Sequence, residues 1–124
     1  MNLLLDTHVV LWWRDDSARL PAAVRRAIAS ADVVWVSAAS GWEVALKLVA
    51  GKLKLAEPFG SMVADSEFTE LPIGFVHAER FAALPPHHRD PFDRMLIAQA
   101  QVEGATLVTH DRHMRPYDVP IAWV

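Results

Sequence analysis

The run Asn2 to Thr7, Asn-Leu-Leu-Leu-Asp-Thr, constrains the fold more than any other stretch of the chain. Three aliphatic residues in succession read as a strand buried on both faces, and such strands belong to parallel sheets covered by helices. The run stops at Asp6. An acid is thereby delivered to the strand's carboxyl end, the edge where open α/β sheets place their ligand chemistry.

The rest of the chain alternates strands with helices. Thr7 to Trp13 reads as a short helix following directly on the strand and ending near Arg14-Asp15-Asp16. Pro21 at a first helical position opens a second helix, with Val24, Ala27 and Ile28 on one face. Val33 to Val36 is β-branched and aromatic, a second buried strand. Ser37 or Ser40 caps the next helix, which carries Glu43 in its first turns and stops at Gly51. Lys52 to Leu55 is a brief two-residue alternation, Pro58 to Ser66 a further helix, Phe68 to Ile73 a short strand interrupted by Pro72, and Phe75 to Leu84 a helix.

After the loop Pro85-Pro86-His87-His88-Arg89 comes the clearest helix start of the chain. Asp90 stands at the N-cap, Pro91 at the first helical position, and Gly104 marks the stop. Ala105 to Thr109 is again a buried strand, ending at His110-Asp111, and Ile121 to Val124 is a last strand. This order implies a mainly parallel sheet with helices on both faces. With no repeat, low-complexity stretch or linker, residues 1 to 124 are expected to form one domain, and 52% hydrophobic residues are enough for its core.

Cysteine is absent, which removes disulfides, thiolate-bound zinc and a cysteine nucleophile, and suits a reducing cytoplasm. The first basic residue is Arg14, so the N-terminus lacks the charged start of a signal peptide, and no apolar run is long enough for a membrane span. A soluble, cytoplasmic protein is expected. The net charge of −3 argues against nucleic-acid binding by bulk positive charge. A polyanion would need local arginines and a bridging metal.

Asp6, Glu43, Asp93 and Asp111 each follow a strand or begin a helix near one edge, so the architecture gathers four carboxylates. Packed like charges either trap protons or hold a cation, and an all-oxygen set suits Mg²⁺ or Mn²⁺. A cation there bridges to phosphate oxygens, which makes phosphodiester hydrolysis the natural reaction. Each acid also has a plain structural reading. Asp6 and Asp111 can be turn residues, Glu43 can pair with Lys47 four residues on, Asp90 can be only a helix cap, and Asp93 can simply favour the helix dipole. Yet Asp93 shares a helix face with the apolar Ile97 and Ala100, which turns it toward the sheet.

The six histidines do not read as a zinc site, because His87-His88 lies in a proline-bounded loop and His110-x-x-His113 follows a strand. Arg80, Arg89, Arg94, Arg112, Arg115 and Lys47 are candidate phosphate contacts. The five tryptophans read as packing, with adjacent Trp12 and Trp13 hard to bury together and hinting at an interface. A receiver domain of signalling fits poorly: the second strand ends in Ser37, and no lysine follows Lys54.

Taken in order, Leu-Leu-Leu-Asp6-Thr-His, Ser37-Ala-Ala-Ser40-Gly-Trp-Glu43-Val-Ala-Leu-Lys47, His88-Arg-Asp90-Pro-Phe-Asp93-Arg-Met-Leu-Ile-Ala-Gln-Ala and Leu107-Val-Thr109-His-Asp111 resemble the PIN-domain ribonucleases. The likeness is strongest to VapC-type toxins of toxin–antitoxin pairs and runs from position 2 to about 118. Each motif is weak alone; four in order are specific. The resemblance implies a three-layer α/β/α fold and Mg²⁺- or Mn²⁺-dependent endoribonuclease activity leaving 5′-phosphate and 3′-hydroxyl ends. It also implies inhibition by a cognate antitoxin entering the acidic groove, and a homodimer.

By the same resemblance the family acids match Asp6, Glu43, Asp93 and Asp111. Asp90 either shares the third role or caps the helix. Thr7 and Thr109 are expected to orient carboxylates, and Lys47 to neutralise phosphate. Thr-His after the first acid departs from the commoner toxin pattern, and the Asp-Pro-Phe-Asp opening matches a subgroup. The alternative is a catalytically silent relative that only binds RNA or a protein.

Overall fold

A computed structural model describes residues 1–124. Five strands form one sheet: β1 (Asn2–Leu5), β2 (Val33–Ser37), β3 (Thr69–Leu71), β4 (Thr106–Thr109) and β5 (Ile121–Trp123). Their order is β3-β2-β1-β4-β5, and every neighbouring pair is parallel. The chain runs outward from β1 to one edge, then returns to lay β4 on its other side. The strand order therefore reverses at β1 and β4, and a crevice opens beyond their carboxyl ends.

Register decides what meets there. Leu5 lies level with Val36 on one side and Val108 on the other, so the next residues, Asp6, Ser37 and Thr109, share one edge. The amide of Asp6 donates to the Val108 carbonyl at 2.9 Å, which ties the end of β1 to β4.

Six helices cover the sheet: α1 (Thr7–Arg14), α2 (Ala22–Ser30), α3 (Ala38–Val49), α4 (Phe59–Asp65), α5 (Phe75–Ala83) and α6 (Pro91–Glu103). Because side chains alternate along a strand, Leu3 and Leu5 join Val34, Val36 and Val108 on one face, packed by Val9, Val10, Val24, Ile28 and Val63 of α1, α2 and α4. Leu4 and Leu107 point the other way, into a second core with Leu96, Ile97 and Ala100 of α6. Leu3, Leu4 and Leu5 are all fully buried, which is why this strand carries no polar alternation. Two cores on opposite faces of one parallel sheet make the expected three-layer sandwich.

Local signals act as read, with shifts of a residue. Asp90 caps α6, accepting from the amides of Phe92 (2.8 Å) and Asp93 (3.0 Å), and Gly104 ends it with φ +67°. Pro21 is the N-cap of α2, one position ahead of the place expected. Of the two serines offered as caps for α3, Ser37 does it, accepting from Ala39 N at 3.0 Å, while Ser40 turns inward. Lys52 to Leu55 forms no strand, and a 3₁₀ turn at Arg112–Met114, capped by Asp111, had no distinct sequence signal.

The tryptophan pair does not make an exposed patch. Trp12 and Trp13 are half-buried against the first core, Trp13 with Phe68 at 5.6 Å between ring centres. The large apolar side chains left in solvent are elsewhere, among them Trp42 and Val49 of α3 and Phe75 and Val76 of α5. No helix is long and apolar enough to cross a membrane.

Candidate metal centre

Asp6 follows β1 and caps α1, its Oδ1 3.4 Å from the amide of His8. Its Oδ2 accepts a 2.6 Å hydrogen bond from Thr109 Oγ1, and the same Thr109 oxygen accepts from the amide of Asp111 at 3.1 Å. One threonine at the end of β4 thus fixes two acids. On the other side Thr7 Oγ1 lies 2.8 Å from Glu43 Oε1 and 2.9 Å from Ser40 Oγ. A hydroxyl has one proton, so Thr7 donates to the carboxylate and accepts from the serine. Lys47 Nζ holds the other Glu43 oxygen at 3.3 Å. The plain helix-pair reading of Glu43 and its orientation by Thr7 are therefore both realised.

Asp93, in the first turn of α6, faces the same crevice and is hydrogen-bonded to Asp111. Asp90 lies beside it and adds its negative charge, while both of its cap bonds end on Oδ1. Glu43 reaches the group through Thr7, without a direct bond to the other acids. The fold thus gathers Asp6, Asp93 and Asp111, sets Asp90 at the rim as a cap, and hangs Glu43 alongside.

The cost of this gathering is visible in the acids themselves. Burial pushes the Asp6 carboxyl above the ordinary range, against the Thr109 hydrogen bond, which lowers it. Asp93 is pushed up to about 9, first by burial and then by the charges of Asp6, Asp90 and Asp111. His88 Nε2 lies 2.8 Å from Asp93 Oδ2. Asp111 moves the other way. Its partial burial works upward, but the His113 amide and imidazole, the Asp93 hydrogen bond and the His88 charge hold it below the usual carboxylate range.

No lysine or arginine forms an ion pair with Asp6, Asp93 or Asp111; their basic neighbours are imidazoles. Two carboxyls raised toward protonation, Asp6 by burial and Asp93 by burial and its acid neighbours, fit a hard divalent cation of the Mg²⁺ or Mn²⁺ class. Such an ion keeps several waters and does not require every acid to touch it.

Two features escaped the sequence reading. His88 contacts Asp93 at 2.8 Å and Asp111 at 3.5 Å, and the only sequence cue was its place five residues before Asp93. Ser40 holds Thr7 from inside α3, with no cue beyond its spacing from Glu43. Of the proposed phosphate contacts, Arg94 is committed internally, to the carbonyls of Pro85 (3.0 Å) and Phe81 (3.3 Å). Arg112 and Arg115 lie over the Trp123 ring. At the mouth of the crevice the rings of His8, Trp12 and His110 lie 5.0–5.9 Å apart.

The chain was compared with known proteins. It is 35% identical over 122 residues to a protein named Ribonuclease VapC22 from Mycobacterium tuberculosis (strain ATCC 25618 / H37Rv), a match covering 96% of this chain and 94% of that one. Among solved structures, a chain of the VapBC2 complex of Rickettsia felis, bound to a DNA fragment from its promoter, superposes with TM-score 0.73 at 15% identity, covering 98% of each chain. The VapBC-5 toxin–antitoxin structure from Mycobacterium tuberculosis gives 0.66 at 20% identity, covering 99% of this chain and 98% of that one. These likenesses agree with the parallel α/β/α sandwich described above. The PIN domain family matches residues 3–120, and the chain belongs to that family.

Proposed function

We propose that this protein is a divalent-cation-dependent endoribonuclease of the VapC kind, held inactive by a cognate antitoxin. The observation that carries the reading is the uncompensated acid cluster at the β1–β4 edge, in a chain 35% identical along nearly its whole length to a relative named as a ribonuclease. Asp6, Glu43 and Asp93 would hold one or two ions of Mg²⁺ or Mn²⁺, with Asp111 a further or water-mediated ligand and Asp90 at the rim. Bound there, such an ion supplies a water of lowered pKa and charge to offset that on the scissile phosphate.

The chain's own residues do the rest. Thr109 fixes Asp6 and, through its backbone bond, Asp111; Thr7 fixes Glu43 against Ser40. Lys47, about a third exposed beside Glu43, is placed to offset phosphate charge. In the cation-free protein Asp93 holds a proton that an RNA-competent site has to release. We assign the substrate as RNA and the location as the cytoplasm. The partner is an antitoxin segment entering the acidic crevice, a reading supported by similar solved structures described as a toxin–antitoxin complex and as a member of a family of toxin–antitoxin systems. We further propose a homodimer, consistent with the apolar side chains left exposed on α3 and α5. Light scattering on the isolated protein checks that last point, and a monomer at micromolar concentration rejects it.

The test is cleavage of end-labelled RNA by antitoxin-free protein in Mg²⁺ or Mn²⁺, beside Asp6→Asn and Asp93→Asn. Each variant is expected to lose on the order of 10²–10³ in rate, the scale of removing one charge-stabilising group from a transition state. Undiminished cleavage by both rejects the mechanism. Absence of cleavage by the wild-type protein, with the fold intact, favours instead a silent module that binds RNA or protein.

A further inference from the structure

His88, Asp111 and His113 bring one ligating atom each within 4.8 Å of one another. His113 Nδ1 is 2.9 Å from Asp111 Oδ1, and His88 Nε2 is 3.5 Å from Asp111 Oδ2. The two imidazoles stack almost parallel, 10° apart with centres 5.1 Å apart, so the exposed His113 ring has to turn out of the stack for both lone pairs to meet one ion. We propose that these three residues form a second cation site, for a borderline-soft ion of the zinc class, beside the hard-cation centre and sharing Asp111 with it.

The donor set separates the two sites. Two imidazole nitrogens and one carboxylate suit Zn²⁺ or Co²⁺, whereas Mg²⁺ takes oxygen ligands and resists dehydration. Tetrahedral coordination at about 2.0–2.1 Å puts ligand atoms roughly 3.4 Å apart, so the atoms here need to close by at most about 1.5 Å. His113 supplies that adjustment, being 75% exposed in its side chain. Its partner is held. The amide of His88 donates to Tyr117 Oη at 2.9 Å, and Tyr117 in turn donates to the Pro85 carbonyl at 2.9 Å. Asp111 is held by Thr109. These bonds fix the backbone of both residues, and the His88 imidazole itself is oriented by Asp93 Oδ2, 2.8 Å from its Nε2, a contact that an incoming ion has to replace. Three protein ligands leave a fourth position for water.

The proposal shares Asp111 with the proposed nuclease centre but does not need nuclease activity to be tested. Full-length protein in excess Mg²⁺ is titrated with Co²⁺, whose visible absorption reports nitrogen-containing, low-coordinate geometry, and Zn²⁺ is then added as competitor. One Co²⁺ band, displaced by Zn²⁺, is expected for the wild type and for Asp6→Asn. His113→Ala, which removes an exposed side chain, and His88→Ala are each expected to weaken Co²⁺ by about tenfold or more. Circular dichroism verifies that both remain folded. Equal Co²⁺ affinity in His113→Ala and wild type overturns the site, as does a band lost in Asp6→Asn and kept in both histidine variants. A wild-type protein that binds Co²⁺ through the histidines yet neither binds Mn²⁺ at the acids nor cleaves RNA sinks the nuclease reading and leaves this site standing.

Discussion

Acids in this molecule live under two regimes. Four acids away from the crevice sit with full cations: Arg14 holds Glu57 at 2.7 Å and Asp65 at 3.3 Å, Arg25 holds Asp16 at 3.2 Å, and the N-terminal ammonium holds Asp32. The Asp32 carboxyl is accordingly held below its ordinary range, by its hydrogen bond to that ammonium and then by the charge. At the carboxyl edge of β1 and β4, Asp6 and Asp93 face further acids with only imidazoles nearby, and both are pushed upward. Arg14 pairs two acids that folding alone satisfies. The crevice acids are left for something the chain does not contain, which is the physical mark of a binding site.

The sharpest way to break this contrast is to neutralise an acid of the crevice. Asp93→Asn is expected to lower cleavage by about 10²–10³, while the cation-free protein at neutral pH melts no lower than wild type, because asparagine removes the cost of keeping a raised carboxyl protonated. An Asp93→Asn variant that melts well below wild type in EDTA refutes the claim that this acid is held at a cost.

The next largest effect is that of the cation and of pH. The folded state binds the Asp93 proton more tightly than the unfolded chain, so without cation the fold is favoured at low pH. It loses stability as pH climbs from the ordinary carboxylate value of 3.8 toward about 9. Asp6 acts in the same sense from its raised value. Asp111, lowered, acts oppositely, but its stability is lost only as pH falls below the ordinary range, outside a pH 5 to 8 window. Melting in EDTA is therefore expected to fall by several degrees between pH 5 and 8. Mn²⁺ at about 100 times its Kd adds about 2.7 kcal/mol, a rise on the order of 10 °C for a domain of this size. A melting temperature in EDTA that climbs over this window contradicts the crevice electrostatics.

How much of this was legible in the chain differs between the two regimes as well. The frame was readable because each signal is local: three leucines before Asp6, a proline after Asp90, a glycine at position 104. The i,i+4 contact of Glu43 and Lys47 was readable for the same reason. His88 was not, since its contacts depend on the loop after α5 folding back to the end of β4, a path fixed by the distant Tyr117, whose hydroxyl Arg94 also holds. Spacing set His110 with His113. The fold instead sends His110 to Trp12 and His8 and stacks His113 on His88. Arg94 looked like a phosphate contact because sequence cannot tell an arginine bound to carbonyls from one in solvent. The Thr7–Ser40 bond was hidden in the same way, its partners standing 33 positions apart.

The smallest expected effect tests the satisfied regime. Arg14 ends α1 and spans two carboxylates, yet its side chain and that of Glu57 are each about a third exposed, and Asp65 is more exposed still. Solvent screens such pairs, and measured exposed ion pairs contribute about 0.2–1 kcal/mol. Replacing Arg14 by Ala leaves Glu57 and Asp65 free to reach water, so the expected loss is at most about 1 kcal/mol in urea denaturation, with the RNA cleavage rate and the Mn²⁺ affinity unchanged. The comparison turns on that asymmetry. Removing a cation from paired acids near the surface costs little because water replaces it, whereas adding one to the crevice is worth more because water is largely excluded there. A large loss of Mn²⁺ affinity in Arg14→Ala shows that the two regions are coupled through α1, and that the crevice is not the independent unit its geometry describes.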